Sequence, residues 1–336
     1  MPPSINYDSK HELRAFLENR GLGMRKKYGQ NFLINGVVRS RLLDTLDIQG
    51  GDSVWEIGSG IGAMTRGLLE KGALVTAFEI DKAFVQILRE IFECESFSCE
   101  DIPFPDKTFK GKIILIEGDV LKTWQLVQVD EGKELFLLGN LPYNIAAALL
   151  ADFVEKKRFF KRMVVTVQKE VALRMCAGPG TADYSSFSVL CSSAYKVTPI
   201  QTIGGSSFYP EPRVDSQAIR LDLIKGREEL PKLFYPLVRS LFSNRRKTIK
   251  NTLSQFASSV IIRNPVNRRN TENHIPAGNG EFTPAVSVKE IAVEILRQAG
   301  ISGDRRAETL EINEFRVLAA LTEEMVSHEI GHCSPA

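Results

Sequence analysis

The sequence predicts a doubly wound, mostly parallel α/β sheet followed by a smaller α-helical domain. Strand-like and helix-like runs alternate between residues 53 and 167, as in repeated βαβ units. Two later strand-like runs, residues 189–197 and Ser216–Leu223, have little helix between them, which predicts an antiparallel hairpin at one sheet edge. From about Lys225 onward the apolar residues recur at helical spacing only. These observations place the domains at residues 1–224 and 225–336.

The elements follow in order. Residues 9–22 have the spacing of a short amphipathic helix, and a basic loop, Met24-Arg25-Lys26-Lys27-Tyr28-Gly29-Gln30-Asn31-Phe32-Leu33, comes next. Val37, Val38, Leu42, Leu43 and Leu46 mark a helix over 36–47. Ser53–Ile57 is a strand, then a glycine loop leads into a helix over 63–71. Leu74–Glu79, Ile113–Glu117 and residues 135–139 are strands, and Lys82–Phe92 and Ala146–Glu155 are helices. Residues 163–167 form a β-branched strand. In the second domain, helices are expected over 233–242, 248–256, Val288–Ala299 and 312–324. Residues 258–283 are rich in Asn, Pro, Gly and Arg and read as a loop insertion.

Of the 336 residues, 43% are hydrophobic and 25% charged, an ordinary globular balance that excludes collagen-like and low-complexity classes. The net charge of +2 conceals an asymmetry. Residues 231–271 hold nine Lys or Arg and no Asp or Glu, a pattern that suits a solvated face and a polyanion-binding surface equally. The five cysteines include no CxxC pair, which fits free thiols, and Cys176 and Cys191 read as buried small hydrophobes. The opening residues lack an apolar signal core, and no apolar run approaches the ~18 residues of a membrane span, so a cytoplasmic protein without membrane attachment is expected.

The first strand runs into Glu56-Ile57-Gly58-Ser59-Gly60-Ile61-Gly62. Glycines between a strand and a helix let the backbone approach a ligand closely. Glu79 ends the next strand about twenty residues on, where a carboxylate can accept hydrogen bonds from ribose hydroxyls. Gly58, Gly60 and Ala63 also satisfy the dinucleotide pattern, so an oxidoreductase is a rival reading. Glu56, two residues before the first glycine, favours a methyltransferase. Asp119 follows the third strand, suited either to an adenine amino group or to a helix cap.

Gly139-Asn140-Leu141-Pro142-Tyr143 stands at the end of the fourth strand, where an open α/β sheet faces its ligand crevice. The exocyclic nitrogen of adenine is a poor nucleophile because its lone pair is delocalised into the ring. The Asn140 side-chain oxygen and the Leu141 carbonyl can bind its two N–H groups and favour a tetrahedral nitrogen. Pro142 stiffens the turn and removes a donor. Tyr143 can stack on the base, worth about 1–3 kcal/mol. The bland alternative is a Pro-stiffened strand end with a core tyrosine; the ordered company of Glu56, Glu79 and Asp119 disfavours it.

Taken together, these blocks resemble the KsgA/RsmA family of ribosomal RNA adenine dimethyltransferases. RKKYGQNFL, EIGSGIG, FEID, EGDV, GNLPYN, QKEVALRM, SSFYPEPRVDS, LFSNRRKTIKN and ILRQAGISGDRRAETLEINEF carry the resemblance over nearly the whole chain. It implies a Rossmann-like class I methyltransferase domain with a helical cap. The implied cofactor is S-adenosylmethionine, held by Asn31, Leu33, Gly58, Glu79, Asp119 and Asn140, with Gln30, Gly60, Ile80 and Val120 beside them. The implied substrate is a pair of adjacent adenines near the 3′ end of small-subunit ribosomal RNA, each methylated twice at N6. Asn140, Leu141, Pro142 and Tyr143 would hold the target base, with Phe208 stacking opposite Tyr143; the residues alone favour packing for Phe208. Ser59 stands where the family commonly has proline, and residues 94–112 and 258–283 are longer than its norm.

The partner implied is the immature small ribosomal subunit, bound by a monomer, with phosphate contacts expected from Arg25, Lys26, Lys27, Arg245, Arg246, Lys247 and Lys250. The alternative within the chemistry is the antibiotic-resistance type that acts on large-subunit RNA. His328-Glu329-Ile330-Gly331-His332 matches the zinc-protease pattern, but Gly331 weakens the helix that must present both histidines, and no metal is expected. A non-enzymatic assembly factor on the same scaffold is a third rival, and intact Asn140 and Tyr143 argue against lost chemistry.

Overall fold

The computed structural model describes residues 5–22, 30–94, 96–97, 113–130, 132–226, 229–263 and 287–331. The chain divides into two compact units, Met1–Cys176 with Ala194–Lys225, and Ala177–Ser193 with Gly226–Ala336.

The first unit opens with α1 (Lys10–Glu18), capped by the Ser9 hydroxyl accepting from the Glu12 N–H. Strand β1 (Phe32–Leu33) is followed by α2 (Gly36–Leu46), capped by Asn35. Then come β2 (Ser53–Ile57), α3 (Ala63–Glu70), β3 (Leu74–Glu79), α4 (Lys82–Phe92), β4 (Ser96–Phe97), β5 (Ile113–Glu117), α5 (Val120–Thr123), β6 (Leu135–Asn140), α6 (Ala146–Glu155) and β7 (Arg162–Gln168). After α7 (Lys169–Cys176) the chain passes through α8 (Ser186–Ala194), which belongs to the second unit up to Ser193, and the sheet is completed by β8 (Tyr195–Ile203) and β10 (Ser216–Leu223); a short β9 (Phe208–Tyr209) lies between these two in sequence.

The eight-stranded sheet has the order β4-β5-β3-β2-β6-β7-β10-β8. Every pair from β4 to β7 is parallel, while β10 runs antiparallel to both β7 and β8. The expected α/β class with an antiparallel edge is therefore present. Strands β2 and β6 are buried almost throughout, because helices cover both faces of a parallel sheet. Trp55 sets its ring edge-on to Phe78 and Phe160. Outside the sheet, β1 pairs with β9, Leu33 opposite Phe208 and Phe32 opposite Tyr209. The largely buried Arg39 donates to the Leu33 carbonyl at 2.7 Å and ion-pairs with Asp8, which ties the segment before the sheet to α2.

Residues 189–197 depart from expectation. Most of that run is the helix α8, and the strand begins only at Tyr195. Short apolar runs suit either period. Here Ser192 and Ser193 turn their hydroxyls back onto the Ser188 and Leu190 carbonyls, which makes the serine-rich segment compatible with a helix. Helix α7 follows β7 without any Gly or Pro between them, so the sequence carries no boundary signal there. Cys191 is buried as expected, whereas Cys176 is exposed.

The second unit packs α9 (Phe234–Phe242), α10 (Ile249–Arg263), α11 (Val288–Ala299) and α12 (Ile312–Gly331) around Phe234, Leu237, Leu253, Ile295 and Phe315. Tyr184 and Val189 are buried in this same core, the Tyr184 hydroxyl donating to the Leu310 carbonyl at 2.9 Å. That burial is why residues 177–193 group with the helical unit although they precede Lys225 in sequence. Ser287 and Glu290 form a reciprocal capping box at α11. No helix among the described residues is long and apolar enough to cross a membrane.

Candidate active site

The carboxyl ends of β2, β3, β5 and β6 surround a cavity of about 280 Å³, near the low end of small-molecule clefts, roughly 300–1,000 Å³. Gln30, Asn31, Leu33, Gly58, Gly60, Glu79, Ile80, Asp119, Val120 and Asn140 all line it, as does Pro142. Sequence reading missed Phe32, Ile61 and Phe84, which supply much of its apolar wall. Their signal was only apolar character near the glycine loop.

The glycine loop is shaped by left-handed backbone. Gly58 and Gly60 have φ of 73° and 55°. A Cβ on Gly60 would stand 2.8 Å from Cε1 of Phe32, so the ring of Phe32 lies over the loop only because residue 60 is glycine. Phe84 meets Phe32 edge-on at 5.4 Å.

Two buried carboxyls flank the loop. Glu79 accepts from the Gly60 N–H at 2.7 Å and from the Asp81 N–H at 2.8 Å. Glu56 accepts from the Thr65 hydroxyl at 2.6 Å. Burial pushes both up to about 7, against the stabilising effect of these hydrogen bonds. Asp119 caps α5 through the Leu121 N–H at 3.1 Å, the helix-cap reading, and it also lines the cavity. Asp81 caps α4 and accepts from the Gln30 side chain at 2.8 Å, which draws the segment before the sheet onto the cavity rim. Among the described residues no Lys or Arg lines the cavity.

At the tip of β6, the Asn140 side-chain nitrogen donates to the Asn31 carbonyl at 2.7 Å. Leu141 is 1% exposed and anchors the turn, its N–H donating to the Thr166 carbonyl. Tyr143 is half-buried beside the turn and does not line the cavity; its hydroxyl lies 2.6 Å from Ser216 Oγ.

Phe208 departs from the expectation that it stacks opposite Tyr143. It is 1% exposed and packs in the sheet core with Leu33, Ile203 and Ala218, so neither face of its ring is open to a base.

The expected RNA-contacting residues fall into three groups. Arg25, Lys26 and Lys27 lie outside the described residues. Arg245 spends its guanidinium on the Ala182 and Tyr184 carbonyls, with Glu308 nearby at 3.8 Å. Arg246, Lys247 and Lys250 are exposed, the first two in the turn between α9 and α10 rather than on a helix face. The side chains of the HExxH segment also lie outside the described residues; among those described, no group of three His, Cys, Asp or Glu gathers to hold a metal.

A family model described as "Ribosomal RNA adenine dimethylase" matches residues 21–273. The chain is 41% identical over 323 residues to the ribosomal RNA small subunit methyltransferase A of Treponema denticola, covering 95% of each chain. It is 40% identical to the protein of that name from Treponema pallidum, covering 94% of this chain and 96% of the relative. Among solved structures, a dimethyladenosine transferase from Plasmodium falciparum superposes with a TM-score of 0.64 at 24% identity, over 84% of this chain and 94% of that one. The 23S rRNA methyltransferase ErmE superposes with a TM-score of 0.53 at 18% identity, over 87% of this chain and 99% of that one. Those two likenesses concern the fold.

Proposed function

The chain belongs to the ribosomal RNA adenine dimethylase family, and from that premise we propose that it methylates N6 of two adjacent adenines near the 3′ end of small-subunit ribosomal RNA, twice on each, using S-adenosylmethionine. The observation that carries the reading is the Asn140 amide, held at a sheet tip beside a cavity walled by carboxyls.

The donor set suits this cofactor. S-adenosylmethionine presents an ammonium, two ribose hydroxyls and an adenine amino group as hydrogen-bond donors, and its sulfonium and ammonium outweigh its single carboxylate, so it is a net cation. The cavity offers the acceptors Glu56, Glu79 and Asp119 and no cationic side chain among the described residues. In this reading Glu79 would accept from the ribose hydroxyls and Asp119 from the adenine amino group, and Glu56 would lend negative charge at the loop. A pyrophosphate would instead meet uncompensated carboxyls, which disfavours the dinucleotide oxidoreductase. Bound there, the cofactor would supply an electrophilic methyl carbon.

The protein's own part is orientation. A carbonyl only accepts, so the group of Asn140 that faces the Asn31 carbonyl must be its NH₂. Oδ1 is thereby aimed elsewhere and accepts no hydrogen bond among the described residues. With the Leu141 carbonyl it can take the two N–H groups of an adenine and pull the nitrogen lone pair out of conjugation with the ring. The methylated nitrogen sheds its proton to water, so alignment and electrostatics, rather than a side-chain base, lower the barrier. Tyr143 offers a stacking face to a base that has left its own stack.

The small-subunit target is favoured over the large-subunit one because the relatives near 40% identity carry the small-subunit name, whereas likeness to ErmE extends only to the fold. The test supplies labelled cofactor with unmethylated small subunits or large-subunit RNA. Label is expected in N6,N6-dimethyladenine of the small subunit, and Asn140→Ala should abolish it. Label confined to large-subunit RNA, or no transfer by the wild type, overturns the reading.

A further inference from the structure

Ser216 opens β10 and is 0% exposed. Its backbone sits between Gln168 of β7 and Ile203 of β8, so three strands fix its position. Its hydroxyl meets the Tyr143 hydroxyl at 2.6 Å, a contact 73 residues apart in sequence. Tyr143 itself rides on a turn whose Pro142 carbonyl accepts from the Ile145 and Ala146 N–H groups. The turn fixes the Cα of Tyr143 but not its ring plane. The last torsion of a tyrosine is broad, and the ring swivels unless its far end is tied.

We infer that Ser216 is a positioning residue for methyl transfer: its buried hydroxyl ties the phenol of Tyr143 to β10 and so fixes the plane on which the target adenine stacks. The inference rests on the reading of Tyr143 as the stacking residue. Burial raises the phenol above its ordinary value, so it stays a neutral hydroxyl able to donate or accept in this pair. The location of the tie explains a division of labour. Tyr143 lies outside the lining of the cofactor cavity, so loosening it should leave the cofactor untouched and degrade only the hold on RNA. With Phe208 enclosed in the core, the orientation of Tyr143 carries more of the discrimination.

The experiment is a double-mutant cycle on the full chain with Ser216→Ala, Tyr143→Phe and the pair together. Three quantities are read: KM for unmethylated small subunits, Kd for S-adenosylmethionine, and fluorescence of an RNA fragment carrying 2-aminopurine at the target position. Each single variant should raise KM about three- to tenfold, the factor carried by one net hydrogen bond. The cofactor Kd should not move, and quenching of 2-aminopurine should weaken in both. The double variant should be no worse than either single one, because both remove the same bond. Unchanged KM and quenching in Ser216→Ala overturn the inference, as do multiplicative effects in the double variant. Should Ser216→Ala fail to fold, Ser216→Cys, which keeps the volume and weakens the hydrogen bond, replaces it in the same cycle. Absence of methyl transfer by the wild type would instead defeat the proposed function, and that result is read before any variant is compared.

Discussion

The side-chain nitrogen of Asn140 and the main-chain carbonyl of Asn31 meet at 2.7 Å, across 109 residues of sequence. The contact ties the segment before the sheet to the tip of β6, because it decides which end of the Asn140 amide is turned toward Asn31. Replacing Asn140 by Asp puts an acceptor where only a donor fits. Asn140→Asp is therefore expected to lose methyl transfer about as severely as Asn140→Ala, by roughly 10²–10³-fold, as for loss of one preorganised polar contact. Single-turnover rates on small subunits, with melting curves to confirm folding, check this.

Gly60 and Phe32 make a second prediction. Gly60→Ala should force the ring of Phe32 off the loop and strain a left-handed position, costing about 1–2 kcal/mol for the backbone alone. Cofactor Kd by calorimetry should rise at least about tenfold, on the arithmetic of 1.4 kcal/mol per decade. Adding Phe32→Ala removes the clash but not the strain, so the double variant should recover only part of the stability lost by Gly60→Ala.

Phe208→Ala should behave as a core truncation. The ring is fully enclosed, so the expected loss is about 3–5 kcal/mol of folding stability. At a temperature where the variant remains folded, 2-aminopurine quenching should match the wild type. Weaker quenching with unchanged stability would return Phe208 to the base-stacking role.

Stability should depend on pH through Glu56 and Glu79. Both sit near 7 in the fold, against 4.5 as the ordinary value. The folded protein thus holds more protons than the unfolded chain between those values, and the sign of linkage makes stability fall as pH rises from about 4.5 to about 7. The contribution is fully present below the lower value and lost above the higher one, on the order of 3 kcal/mol per carboxyl. Cofactor-free melting temperatures across this range should decline, and Glu56→Gln should flatten part of the slope. A cationic ligand prefers the ionised carboxyls, so cofactor affinity should rise over the same interval.

Arg245 and its neighbours should separate. Arg245→Ala strips the Ala182 and Tyr184 carbonyls of a donor and is expected to lower the melting temperature. Arg246→Ala and Lys247→Ala should leave it unchanged and weaken RNA binding. If each contacts one phosphate, each should reduce the slope of log affinity against log salt by about 0.7–0.9. Filter binding at several salt concentrations tests the difference.

The sequence by itself determined the α/β class, the antiparallel edge and most of the residues expected around the cavity, because these depend on local signals. Alternating periodicity marks strands and helices, glycines mark left-handed backbone, and the strand end places Asn140 at the crevice. The tertiary structure alone decided which way the Asn140 amide points, that Phe208 is enclosed rather than open, that Arg245 is occupied, and that residues 177–193 join the helical core. Each of these turns on a contact between residues about 60 to 175 positions apart. Periodicity reports only which face of an element is apolar, whereas the partner across that face is fixed by packing of the whole chain.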